Sequence, residues 1–210
     1  MSNTEAKIAK ILLETSAIKL SPNEPFKWSS GWNSPIYCDN RTVLSYALHR
    51  KEIKGMLAAK IKAKYTEADT IVGVATAGIA MGALIADEMD MSYAYCRPEP
   101  KAHGLKRQLE GKVDKDAKIV VLEDLISTGG SSLKVVEYLR TEGYNILGMA
   151  AIFTYGFQVA EDNFTNAKCS YLTLGNYSSM IEEAVQQGYV QESDLASLAE
   201  WRNDPASWRK

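Results

Sequence analysis

Val120–Ser132 reads VVLEDLISTGGSS, an apolar run, two carboxylates and then six small residues. The apolar run suits a strand buried on both faces, as parallel sheets require. A turn of Ser, Thr and Gly that opens a helix aims backbone N–H groups, and the positive end of the helix dipole, at an anion such as phosphate. Glycine at 129 and 130 allows close backbone approach. Glu123 and Asp124 would repel phosphate. They suit vicinal hydroxyls, a Mg²⁺ shell or a developing cation. Ligands of open α/β sheets bind at the carboxyl ends of the strands, which is where this stretch places both features. The ligand it describes has a phosphate at one end and hydroxyls or a metal at the other, as in ribose 5-phosphate derivatives.

Working outward, the flanking sequence alternates strand and helix patterns. Strands are expected at 70–76, 91–96, 117–124, 144–155 and 168–174, with helices at 77–90, 129–143 and 157–167 between them. The fold class is therefore α/β, a mostly parallel sheet flanked by helices. The first 65 residues differ. An amphipathic helix carrying Ile8, Ile11 and Leu12 precedes FKWSSGWNSPIYCDNR (26–41), rich in turn formers and aromatics, and then a long helical stretch 42–64 for which Asp39 or Asn40 is the expected N-cap. We expect one domain over 1–210: an N-terminal hood and helices (1–65), an α/β core (66–175) and C-terminal helices (176–210). The segment 97–116 lacks strand or helix periodicity and carries Arg97, Lys101, His103, Lys106, Arg107 and Lys112. A structureless stretch of that length inside a compact unit is usually functional.

Composition narrows the function. With 46% hydrophobic and 24% charged residues the chain is an ordinary globular one, and its net charge of −2 supplies no global field for collecting nucleic acid. Cys38, Cys96 and Cys169 are too few and too irregular for a disulfide framework or a zinc site, and all three are expected as reduced core residues. The N-terminal segment is interrupted by Lys7, Lys10 and Glu14, so it reads as an amphipathic helix and no signal peptide is expected in it. No apolar run approaches the ~20 residues of a membrane span, so a cytoplasmic location is expected. His49 and the lysines 51, 54, 60, 62 and 64 are expected on solvated or structural helix faces. Trp201 and Trp208 are expected to pack the C-terminal tail. Trp28 and Trp32 suit either hood packing or the wall of a pocket.

Two common phosphate motifs are missing. GVATAGIA has no Lys-Ser/Thr after its second glycine, and no GxGxxG follows a strand. The block at 120–132 instead resembles the phosphoribosyl diphosphate (PRPP) signature of the type I phosphoribosyltransferases. Four blocks carry that resemblance over nearly the full chain: FKWSSGWNSPIYCDNR, VGVATAGIAMGALIAD, CRPEPKAHG and VVLEDLISTGGSS. Their order, and the Arg97–Lys101–His103–Gly104 loop, are similar to the orotate-using branch of the family rather than its purine-using branches.

The resemblance implies PRPP and orotate as substrates and Mg²⁺ held mainly by PRPP, with no direct protein cage. It implies that Glu123 and Asp124 meet the ribose hydroxyls. Ser127, Thr128, Gly129, Gly130 and Ser131 would cradle the 5-phosphate, with Leu125 and Ile126 as spacers in the same substrate-binding block, and Thr76, Ala77 and Gly78 would form the pyrophosphate turn. Arg97, Lys101 and His103 would close on pyrophosphate, with Lys101, His103 and Asp124 catalytic and the 97–116 loop reaching the neighbouring active site of a homodimer. Ser29, Ala77 and Pro98 stand where enterobacterial members carry lysine. The rivals are a purine-base transferase and, from a different class, a PRPP-sensing regulator that binds nucleic acid.

Overall fold

The computed structural model describes residues 2–28, 30–100 and 107–209. The expected catalytic residues Lys101 and His103, with Gly104 and Lys106, lie outside the described residues, as does Ser29. The chain opens with α1 (Asn3–Glu14), fixed by a capping box in which Ser2 Oγ accepts from the Glu5 amide and the Glu5 side chain accepts from the Ser2 amide. The hood follows as very short strands, β1 (Ile18–Leu20), β2 (Phe26–Lys27), β3 (Asn33–Ser34) and β4 (Ile36–Cys38). They pair antiparallel as β1 with β4 and β2 with β3.

The helix expected over 42–64 is in two pieces. Asn40–Ser45 is a 3₁₀ helix, Tyr46 is extended, and α2 (Ala47–Lys64) begins only after it. Asp39 does cap, but it caps the 3₁₀ turn, its carboxylate accepting from the Arg41 amide. Residues i and i+3 eclipse in a 3₁₀ helix, and this brings Asn40 and Val43 into the interior together.

The core then runs β5 (Thr70–Val74), α3 (Gly78–Met89), β6 (Ser92–Cys96), β7 (Leu109–Glu110), β8 (Lys118–Ile126), α4 (Gly130–Thr141), β9 (Asn145–Thr154), α5 (Gln158–Asn166) and β10 (Tyr171–Asn176). The C-terminal segment adds α6 (Tyr177–Gln186), a 3₁₀ turn (Glu192–Asp194) and α7 (Leu195–Asn203). Six strands form one sheet in the order β10-β9-β8-β5-β6-β7, parallel except for β7. Strand β7 corrects the expectation of an irregular 97–116 loop: the returning arm pairs back on β6, Leu109 opposite Cys96. Two boundaries also move. β8 continues to Ile126, so Leu125 and Ile126 are strand residues, and the last strand begins at Tyr171 rather than 168.

Alternation along β8 sorts the core. Side chains of successive strand residues point to opposite faces. Val120 and Leu122 join the cluster formed with α1, α2, α3 and the C-terminal helices, whereas Ile119 and Val121 join the cluster under α4 and α5. Trp201 of α7 is fully buried in the first cluster, and its ring meets Trp28, Tyr155, Phe157 and Tyr177 at centroid distances of 5.2–5.6 Å. Hood, sheet and C-terminal helices thus share one apolar interior.

The lysines of α2 are not simply a solvated face. Lys60 and Lys64 donate to the carbonyls of Thr173 and Tyr171 on the edge strand β10, at 2.9 and 2.8 Å. One helical turn and two strand residues span nearly the same length, ~6–7 Å, so the i,i+4 pair matches the i,i+2 carbonyls. Lysines at a sheet edge also discourage pairing with another chain. Lys54 instead pairs with Glu88 of α3. His49 is half-buried between Glu52 and Glu14. Cys96 and Cys169 are buried and free as expected, but Cys38 is only half-buried.

Candidate active site

Three features meet where β5 and β8 end. The first is the carboxylate pair. By the alternation of β8, Glu123 follows Val121 toward α4, and its Oε2 accepts from Ser132 Oγ at 2.9 Å while Oε1 accepts from the Asp124 amide at 3.0 Å. Asp124 faces the hood. The Asn40 side chain, 2% exposed, donates to the Asp124 carbonyl at 2.8 Å, so the hood grips the strand beside this carboxylate. Burial raises both carboxyl pKa values, and in Glu123 the adjacent Asp124 charge adds to the rise. Arg41 opposes the effect on Asp124, although its guanidinium is held by Asp39 at 2.7 Å.

The second feature is the turn into α4. Ser127 and Thr128 are half-buried, Gly130 and Ser131 exposed, and Gly129 sits at φ +78°. A Cβ at Gly129 would fall 2.6 Å from Cε2 of Phe164, so the turn rests on the α5 ring and admits only glycine there without rearrangement. Asn163 of α5 donates to the Thr128 carbonyl at 2.9 Å. The Ile126 carbonyl is taken by the Tyr155 amide and Thr154 Oγ1, and its side chain is fully buried. Ile126 therefore supports the turn from beneath, while Leu125 reaches the cavity described below.

The third feature is the turn Thr76–Gly78 at the head of α3. Thr76 is exposed and Ala77 half-buried, and the Ala75–Thr76 peptide is cis. A Cβ at Gly78 would lie 2.5 Å from the Leu122 carbonyl, so glycine lets α3 start directly against β8, next to the carboxylates. Arg97 leaves β6 half-buried. Its amide donates to the Gln108 carbonyl, its own carbonyl accepts from Gln108 Nε2, and its Nε lies 3.9 Å from Glu110 Oε1.

Beside the α4 turn and under the hood lies a cavity of 520 Å³. It is walled by Trp28, Trp32, Tyr37, Leu125 and Tyr155, with Cys38, Ser127, Thr128, Lys27 and Ser30. Trp28 and Tyr155 pack at 5.2 Å, and the Trp28 indole N–H donates to the Ile36 carbonyl. Burial, helped by the charges of Asp124 and Asp39, holds the Cys38 thiol well above its usual pKa, and the thiol donates to Asn40 Oδ1. Cys38 is thus part of this cavity rather than of the closed core expected for it. Ser127 and Thr128 line the cavity as well as the turn, so a ligand in one touches the other.

The region 45–189 matches the family model described as phosphoribosyl transferase domain. Orotate phosphoribosyltransferase of Cytophaga hutchinsonii is 54% identical over 208 residues, covering 99% of this chain and all of the relative. That of Enterococcus faecalis is 48% identical over the whole of both chains. The crystal structure of orotate phosphoribosyltransferase from Aeropyrum pernix superposes with a TM-score of 0.77 at 26% identity, covering 88% of this chain and 99% of that one.

The chain belongs to the orotate phosphoribosyltransferases.

Within this family member, Asp124, the 127–131 turn and the 76–78 turn lie at the ends of the neighbouring strands β5 and β8, and Arg97 follows directly on β6. Lys27, Tyr37, Cys38 and Tyr155 were not foreseen at the site. Lys27, Tyr37 and Cys38 lie within the FKWSSGWNSPIYCDNR block, but on hood strands of two or three residues whose inward-facing positions have no readable period, and Tyr155 lies just past the end of β9. The pairing of Glu123 with Ser132 was open to inference, because both positions flank the turn and strand alternation separates Glu123 from Asp124.

Proposed function

We propose that the chain transfers the phosphoribosyl group of PRPP to orotate, giving orotidine 5′-monophosphate and pyrophosphate in pyrimidine nucleotide synthesis. One observation carries the reading: two helix N-termini and the Asp124 strand end converge beside a cavity with aromatic walls. The α4 turn suits the 5-phosphate, through the amides and hydroxyls of Ser127 to Ser131. The α3 turn, Thr76–Ala77–Gly78, suits pyrophosphate, and Trp28, Tyr37 and Tyr155 suit a flat base.

Cleavage of the C1–oxygen bond proceeds with oxocarbenium character at C1, as in glycoside chemistry. Asp124 then stabilises the cationic carbon and holds the ribose hydroxyls. Glu123 fixes the Asp124 amide and the first turn of α4. Arg97, with Lys101 and His103, neutralises the departing pyrophosphate and shields the reactive carbon from water. Among the described residues no group of three or more His, Cys, Asp or Glu forms a metal cage. Asp124 fits the one or two carboxylates with which proteins hold Mg²⁺ at phosphates, and Mg²⁺ bound with PRPP would offset phosphate charge there.

We read residues 1–210 as one catalytic domain acting in the cytoplasm as a homodimer, with the 97–116 loop serving the partner's site. The shared apolar interior of hood, sheet and C-terminal helices supports the single domain. No helix among the described residues is long and apolar enough to cross a membrane. The deciding experiment incubates the protein with PRPP, Mg²⁺ and one base at a time. Orotate absorbance should fall, and adenine, hypoxanthine and guanine should remain. Purine turnover at or above the orotate rate refutes the reading.

A further inference from the structure

We infer that Lys27 is the specificity-determining residue that holds the carboxylate of orotate. The inference rests on orotate being the base, and it concerns the cavity of 520 Å³ under the hood. A pyrimidine-dione ring without a carboxylate needs only flat apolar walls and a few neutral hydrogen-bonding groups, and the cavity has both. Trp28, Trp32, Tyr37, Leu125 and Tyr155 supply the walls, and Ser30, Ser127 and Thr128 supply hydroxyls. Orotate adds one permanent negative charge at the ring edge. Lys27 is the only cationic side chain among the described residues that line the cavity, and no carboxylate lines it.

The surroundings leave this ammonium available. Lys27 lies at the end of β2, where its backbone pairs with Asn33, and its side chain is exposed. The nearby Arg41 is committed to Asp39 through two hydrogen bonds, at 2.7 and 2.9 Å, and does not line the cavity. A carboxylate brought between the aromatic walls meets Lys27 as its cationic partner at the hood side. The phosphate turn occupies the other side, through Ser127 and Thr128. The base is thereby oriented, with its charged edge drawn toward Lys27 on β2 and the rest of the ring toward Ser127 and Thr128. Lysine suits the role because a compact ammonium on a flexible stem can follow the carboxylate as the ring enters.

The test uses the full-length protein with Lys27→Met, which keeps most of the stem and removes the charge, and Lys27→Arg. An exposed position on a two-residue strand can take either change without unfolding, and thermal melting checks this. A charge-assisted hydrogen bond carries on the order of 10- to 100-fold in affinity. Lys27→Met should therefore raise the orotate KM by about that factor while the PRPP KM stays close to the parent value, and Lys27→Arg should recover most of the loss. Uracil, which is orotate without the carboxylate, provides the second readout. As a competitive inhibitor it should bind parent and Lys27→Met alike, so that the gap between orotate and uracil closes in the variant. An orotate KM within twofold of the parent in a folded Lys27→Met protein overturns the inference. So does an equal rise in the KM of PRPP and of orotate, which would place Lys27 on the phosphoribosyl side. If the parent itself fails to consume orotate, it is the proposed reaction that falls, and the parent assay alone reveals it.

Discussion

Neighbouring positions 123 and 124 carry similar carboxylates in opposite settings, and a single strand step separates their proposed tasks. Asp124, at the hood side, is the group that would meet the sugar. Asp124→Asn preserves shape and removes the charge, so activity should fall by at least ~10²-fold, the scale of one electrostatic catalytic contact, with an unchanged melting curve. A steady-state rate near that of the parent would reduce the acid to a strand-end decoration. Glu123 makes a different prediction, one about stability. Its folded pKa is raised by burial, so the folded state holds a proton that the unfolded state releases. The stability this contributes is present below the unfolded pKa of about 4.3 and is lost as pH rises toward the folded value, by about 1.4 kcal/mol per unit of elevation. Glu123→Gln carries no such penalty and can keep both hydrogen bonds, to the Asp124 amide and to Ser132. The melting temperature of the unliganded variant should exceed that of the parent at pH 8, with the difference shrinking toward pH 4. A difference independent of pH would show that Glu123 is charged in the folded protein.

At the level of elements, the helix α5 acts as a bracket for the proposed phosphate turn, through Asn163 on the Thr128 carbonyl and the Phe164 ring under Gly129. Gly129→Ala meets two obstacles, the ring edge at 2.6 Å and a φ of +78°. It should raise the PRPP KM by roughly tenfold or more, as a displaced turn loses amide contacts to phosphate. Adding Phe164→Leu removes the ring and should restore part of the loss. The part that remains reflects the left-handed backbone, about 1–2 kcal/mol for a residue bearing a Cβ. If the double variant is no better than Gly129→Ala, the ring is not the obstacle. The strand-and-turn frame of this bracket was readable in the sequence, because VVLEDLISTGGSS joins a continuous apolar run to an obligatory glycine turn. The hood was not. Its strands are two or three residues long, too short for a period to register, and its 3₁₀ turn is set by Asn40 reaching Asp124 across 84 positions. The lysine contacts to β10 were hidden for a similar reason: a charged helix face looks solvated until the neighbouring edge strand is in view.

On the scale of the whole molecule, the proposed dimer allows a test of complementation. If Lys101 serves the partner's site and Asp124 its own, Lys101→Ala and Asp124→Asn homodimers are both nearly inactive. After free subunit exchange about half the dimers are mixed. In each mixed dimer one site has an intact Asp124 and receives an intact loop, while the other site collects both lesions. About a quarter of all sites should recover, read as activity, with tagged subunits confirming exchange. Mixed dimers that stay at the parental level would mean that each loop works within its own chain.

The aromatic wall of the cavity also makes the molecule its own optical sensor. Two of the four tryptophans, Trp28 and Trp32, line the cavity, and Trp28 lies 5.6 Å edge-on from the buried Trp201. A base bound in the proposed pocket displaces water from the open parts of these two half-buried indoles and stacks near them. Intrinsic emission should therefore change with orotate in a saturable way that follows the kinetic KM, and replacing both Trp28 and Trp32 by Phe should abolish most of the signal. No label is needed. Loading of the base pocket could then be timed separately from PRPP binding by stopped flow, using light that the protein emits on its own account.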